Sequence, residues 1–151
     1  MLNMYIKKQI LTILLCVSFS IGFGQVSPPA MAMPNETNMS LVDTIIKITN
    51  HEEYFANYCT SKVVKVAKKD GWPQEKKDKV LRSIKFKYYV STIYNSYASY
   101  STDEMNTIIA TLKLINQKAK NWTKMVLTND MMQHNLDLFV DGLIESKYVT
   151  E

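Results

Sequence analysis

Ser101-Thr-Asp-Glu104 runs directly into Met105-Asn-Thr-Ile108-Ile109-Ala-Thr-Leu112-Lys-Leu-Ile115, and this stretch decides the fold class. A serine followed three places later by a glutamate can satisfy two orphan amides at a helix start, each side chain reaching the other's backbone. The apolar residues 105, 108, 109, 112 and 115 then recur at spacings of three and four, which places them on one helical face. Downstream, Thr128-Asn129-Asp130 offers a second cap ahead of Leu136, Phe139, Val140, Leu143 and Ile144, again at helical spacing.

Upstream the same rhythm continues. Val80, Leu81, Ile84 and Tyr88 form one stripe, and Phe86, Val90, Ile93, Tyr97 and Tyr100 form another, rotated from the first. A kinked helix or two abutting helices would accommodate both. Trp72-Pro73 opens this region, because proline suits a helix start. Before it, Tyr54, Phe55, Tyr58, Cys59, Val63, Val66 and Ala67 define a helix over 51–69, with Asn50 as N-cap and Asp70-Gly71 as terminator. Ser40-Leu-Val-Asp43 resembles a cap for a short helix over 41–49. Alternation between glycine-bounded turns is scarce. The expectation is an all-α, single-domain bundle of four to six helices over 40–151.

The first 24 residues have a different character. Lys7 and Lys8 give a basic start, residues 10–21 carry no charge, and Gly22-Phe-Gly24 puts small residues three and one before Gln25. That order predicts a secretory signal peptide cleaved near Gly24/Gln25, since the apolar run is too short to span a bilayer. Ala30-Met-Ala32 is a second candidate site, farther from the apolar run. Residues 25–39 hold three of the four prolines and show no periodicity, so they are expected to be a flexible leader. Cys16 lacks the small residues of a lipoprotein site, so the product is expected to be released, periplasmic or secreted, and not anchored.

Cleavage leaves Cys59 alone, which rules out a disulfide within the exported chain and predicts a buried, inert thiol. The net charge is +4, of which the signal peptide supplies two lysines. Distribution matters more: Lys62 to Lys87 holds ten basic residues against three acids, while residues 128–151 hold five acids and only Lys147. Such a run is usually a solvated face, but it also suits weak contact with an anionic membrane surface. Nucleic acid is not expected as a partner, because a single arginine gives almost no bidentate base reading.

The motif Tyr97-Ala-Ser-Tyr100-Ser101-Thr102-Asp103-Glu104-Met105 resembles the aromatic-Ser/Thr-x-x-Glu-Leu core of a bacterial exported family, the domain of unknown function 2059 family. Leu41 to Asn50 is similar to that family's first helix and break, and the order of segments agrees to about residue 118. This chain has Ser96 where the family's tyrosine usually stands, and Thr111 to Gln117 replace its Phe-Tyr-x-Ser-Pro-x-Gly segment. The resemblance implies a helical envelope protein and carries over no catalytic residue.

Chemistry-bearing patterns are sparse. His51-Glu-Glu53 lacks the second histidine of a zinc helix, and the Met/His residues of the leader and of 131–134 do not form a metal motif, so no metal or cofactor is expected. Acid–base chemistry would have to rest on carboxylates or lysines; Asp137 and Asp141 share a helical face, though such pairs are commonplace on acidic surfaces. The tyrosines at 88, 89, 94, 97 and 100 divide between core and rim. Tyr89, Tyr94 and Tyr97, with Lys76, Lys77 and Arg82, are therefore the expected partner-binding residues. Three functions stay open: a binding module for a protein or envelope component, an enzyme acting on envelope polymers through carboxylates, and a membrane-surface binder through 62–87.

Overall fold

The computed structural model describes residues 33–120 and 124–148; the expected signal peptide and most of the expected leader lie outside the described residues. Within them the chain is all-helical: α1 Glu36–Thr49, α2 His51–Lys69, α3 Gln74–Arg82, a 3-10 turn Phe86–Tyr88, α4 Val90–Ser96, α5 Thr102–Asn116 and α6 Asp130–Ile144. Among the described residues no helix is long and apolar enough to cross a membrane.

α1 starts earlier than its apolar pattern suggests. Asn35 adopts an extended backbone and its side chain accepts from the Asn38 amide at 2.8 Å, so the helix begins at Glu36 and not at Leu41. Ser40 lies inside the helix, its hydroxyl bonded to the Thr37 carbonyl. The first turn is polar yet not solvated. Asn38 is buried, donates to the Tyr100 carbonyl at 2.9 Å and accepts from Thr102 Oγ1 at 2.8 Å. It thereby ties α1 to the start of α5, and these two helices form the most extensive pairing in the bundle.

A single residue joins α1 to α2. Asn50 has φ 53 and ψ 46, the left-handed geometry that closes a helix C-terminus and that asparagine tolerates better than most residues. Asn50 is also the N-cap residue of α2, as expected, although its side chain makes no capping bond there and instead donates to the Glu53 carboxylate. α2 then buries His51, Phe55, Cys59, Val63 and Ala67, one residue per turn. Gly71 at φ 62 ends the run, with the Trp72 amide reaching back to the Ala67 carbonyl at 2.9 Å. The two rotated stripes that follow are split by a break between Arg82 and Val90: Val80 and Leu81 lie on α3, Val90 and Ile93 on α4, and Phe86 and Tyr88 both in the 3-10 turn.

Phe55 is the hub of the core. Its ring stacks on Tyr89 at 5.3 Å and meets Phe139 at 5.4 Å and Phe86 at 5.6 Å. Cys59, one turn along, is fully buried, and desolvation pushes its thiol up to about 12, so it is inert as expected. The capping box at Ser101 forms both of its reciprocal bonds. Asn129 caps α6 through the Met132 amide at 2.8 Å.

His51 stands out within this core. It is 1 % exposed, and neither ring nitrogen has a hydrogen-bond partner among the described residues. Desolvation lowers its pKa from 6.5 to about 4. Between those values the unfolded chain takes up a proton that the native chain refuses, so stability is complete above about pH 6.5 and declines as pH falls toward 4. The loss amounts to about 3 kcal/mol over this window. Asp137 and Glu104, held below their ordinary values by hydrogen bonds from Tyr58 and Ser101, add acid sensitivity only at lower pH. Urea unfolding of His51→Leu at pH 7, 5.5 and 4.5 is expected to flatten the decline; an unchanged slope would exclude His51 as its source.

Candidate functional site

The tyrosine-rich segment does not present one surface. Tyr89 is fully buried and its hydroxyl donates to the Met132 carbonyl at 2.8 Å, while Tyr97 is buried against the core. Burial raises the pKa of both. These two positions are thus corrected from partner contacts to structural residues. The reason is the 3-10 turn, which shifts the helical phase and rotates Tyr89 inward. Tyr94 is half-buried, and its hydroxyl bonds to the Asp43 carboxylate of α1, which with burial lifts it to about 12. Tyr88 and Tyr100 face solvent.

The three expected cations share α3 but not a face. At about 100° per residue, Lys76, Lys77 and Arg82 are spread around the helix. Lys76 sets its ammonium 3.9 Å over the Trp72 ring, Lys77 is half-buried and Arg82 is exposed. Across the run from Lys62 to Lys87, only Lys62 has a carboxylate partner among the described residues, Asp137 at 3.1 Å.

Two grooves flank α6 instead. The first, about 490 Å³, is lined by Tyr88, Asn135, Leu138, Phe139 and Tyr148. Leu138 is 55 % exposed, Tyr148 54 % and Tyr88 49 %, a high exposure for such large side chains. The wall at Tyr148 is built by a chain reversal. Ser146 takes a left-handed φ of 63, and the Lys147 amide bonds to the Gly142 carbonyl at 2.8 Å. Tyr148 then lies flat on Phe139, with centroids 6.1 Å and planes 10° apart. This explains a glycine in the last turn of α6, since a Cβ at Gly142 would overlap the Tyr148 ring carbons.

The second groove runs along the outer face of α2. About 430 Å³ is lined by Tyr54, Asn57, Tyr58, Ser61, Lys62 and Lys65. A smaller cleft of about 230 Å³ shares Tyr54 and Asn57 and extends the groove past Glu53, with Lys124 and Val126 on its far side. Both tyrosine hydroxyls are anchored on α6. Tyr54 donates to Gln133 Oε1 at 3.3 Å, Tyr58 donates to the Asp137 carboxylate, and Gln133 Nε2 donates to Asp137 Oδ2 at 3.4 Å. Tyr58 and then Lys62 hold the Asp137 carboxyl below its ordinary range, and Asp137 raises Lys62 in return. Asp137 therefore belongs to this network.

Sequence reasoning placed Tyr54, Tyr58 and Phe139 in apolar stripes and passed over Tyr148. The readable signal for the last was Gly142, a glycine still within the helical pattern and costly there, with an aromatic six places on. No protein-family model, curated protein or solved structure matches the chain.

Gly142→Ala tests the first groove's construction. Helix propensity favours alanine by about 1 kcal/mol, and losing the aromatic pair costs about the same. Overall stability is expected to change little, while the ring-current shifts that Tyr148 and Phe139 impose on each other in NMR spectra disappear. Retention of those shifts would show that the glycine is not needed for the stack.

Proposed function

We propose that the protein is an exported binding module of the bacterial cell envelope, which engages a protein partner through the groove at Tyr88, Leu138 and Tyr148. The observation that carries this reading is the exposure of those three large side chains around one concavity, with the Asn135 amide at its edge. Apolar and aromatic anchors with a polar rim are what protein interfaces use. The basic, apolar and small-residue order of residues 1–24 and the resemblance of Tyr97 to Met105 to the domain of unknown function 2059 family support export and an envelope setting. An enzymatic role through carboxylates has less support, because Asp137 is engaged with Tyr58 and Lys62.

A photo-crosslinking residue at Leu138 is expected to capture one discrete envelope protein, and the same residue at Lys113 of α5 none. Leu138→Asp is expected to abolish retention on the envelope fraction while leaving the far-UV circular dichroism unchanged. Equal capture at both positions, or retention by Leu138→Asp, would refute the groove as the contact.

A second reading, contact with an anionic membrane surface, is favoured by the exposed lysines of 62–87 that lack carboxylate partners among the described residues. Phosphatidylglycerol vesicles are expected to sediment the protein at low ionic strength and release it at high salt. Failure to sediment at low salt removes this reading.

A further inference from the structure

We propose that the groove along α2, separate from the Tyr148 groove and across α6 from it, binds an acidic polysaccharide. Its floor is already rigid. Tyr54 and Tyr58 stand one helical turn apart with centroids 6.3 Å and planes 34° apart, and each hydroxyl is tied to an α6 side chain. Lys62 braces Tyr58 from above, its ammonium 5.3 Å over the ring and bonded to Asp137. Rings fixed before binding lose little entropy when a ligand arrives. Between and beyond them Asn57, Ser61 and Lys65 are exposed, with no hydrogen-bond or ionic partner among the described residues.

Shape and charge select the ligand class. From Glu53 to Lys65 the groove follows α2 for about 18 Å and lies open along Ser61 and Lys65, unlike the enclosed pockets that hold small molecules. It calls for a chain. A peptide docks on apolar and aromatic anchors with polar groups at the rim, whereas here the polar Asn57, Ser61 and Lys65 stand between and beyond the two rings and Val126 is the one aliphatic side chain in the lining. A nucleic acid carries a phosphate at every residue, whereas Lys62, Lys65 and Lys124 here face Glu53 and Asp137. Sparse positive charge, polar tips at each turn and aromatic faces together match a chain of hydroxyl-rich rings bearing occasional carboxylates. The Tyr54 ring and the part of Tyr58 that Lys62 leaves open meet the C–H sides of the sugars, Asn57 and Ser61 meet hydroxyls, and Lys65 meets a carboxylate.

Titration calorimetry of the purified protein with hexagalacturonate, and with neutral cellohexaose as comparison, tests this. Hexagalacturonate is expected to bind at least about tenfold more tightly than cellohexaose. Tyr54→Ala is expected to weaken it about tenfold, in the range of aromatic stacking losses. Lys65→Gln, which touches no packed group, is expected to weaken it about fivefold, and Asn57→Asp to weaken it more by placing a carboxylate in the groove. Lys113→Gln on α5 leaves it unchanged. The Asn57 side-chain amide signals shift in NMR spectra on addition of the uronate. The proposal is overturned by no binding of hexagalacturonate, by equal binding of cellohexaose, by affinity that survives Lys65→Gln and Asn57→Asp, or by tighter binding of single-stranded oligothymidylate or phosphatidylglycerol vesicles.

Discussion

The contact of Phe55 with Tyr89, Phe86 and Phe139 is the constraint on which the bundle depends. One side chain on α2 meets the 3-10 turn, the lead-in to α4 and the middle of α6. Burying Phe55 contributes about 1.5–3 kcal/mol, and each edge or stacked pair adds roughly 0.5–1.5 kcal/mol. Its wider effect is geometric. Because Phe139 is held on the Phe55 side, its other flank is free to receive Tyr148, so the core contact and the exposed groove share one ring. The same docking of α2 on α6 brings Tyr54 and Tyr58 within reach of Gln133 and Asp137. Both candidate surfaces are thus by-products of one helix pairing.

The helices themselves were readable wherever a local chemical signal coincided with periodicity. Ser101 with Glu104, Asn129 ahead of Met132, and Gly71 after Lys69 each behave as the sequence predicts. The start of α1 was hidden because its buried residue is Asn38, a polar side chain whose partners, Tyr100 and Thr102, lie more than sixty residues away. Asn50 stands at the expected N-cap position, but its second role as the C-cap of α1 was not legible. Asparagine serves both as an N-cap and as a left-handed C-cap, and composition does not say which of two abutting helices it serves.

The sites were less readable than the fold. Tyr97 lies on the apolar stripe with Ile93 and is buried with it, whereas Tyr89 belonged to neither stripe and its burial follows from the 3-10 turn just before it. Tyr54 and Tyr58 counted as core because an apolar stripe has edges, and periodicity does not say which members of the stripe sit there. Their half-exposed rings become informative only once the α6 partners of their hydroxyls are known. Tyr148 owes its position to a backbone reversal at Ser146, a conformation that serine rarely adopts and that no pattern in the chain announces.

The one-residue joint at Asn50 fixes more than an angle. An α-helix advances about 100° per residue, so adding one residue there would turn α2 about its axis by that amount relative to α1. The flank now bearing Tyr54 and Tyr58 would be driven toward the interior, and Phe55 would be carried off its three ring neighbours. With no loop to absorb the twist, chain length at this point is as tightly specified as side-chain identity at the centre of the bundle.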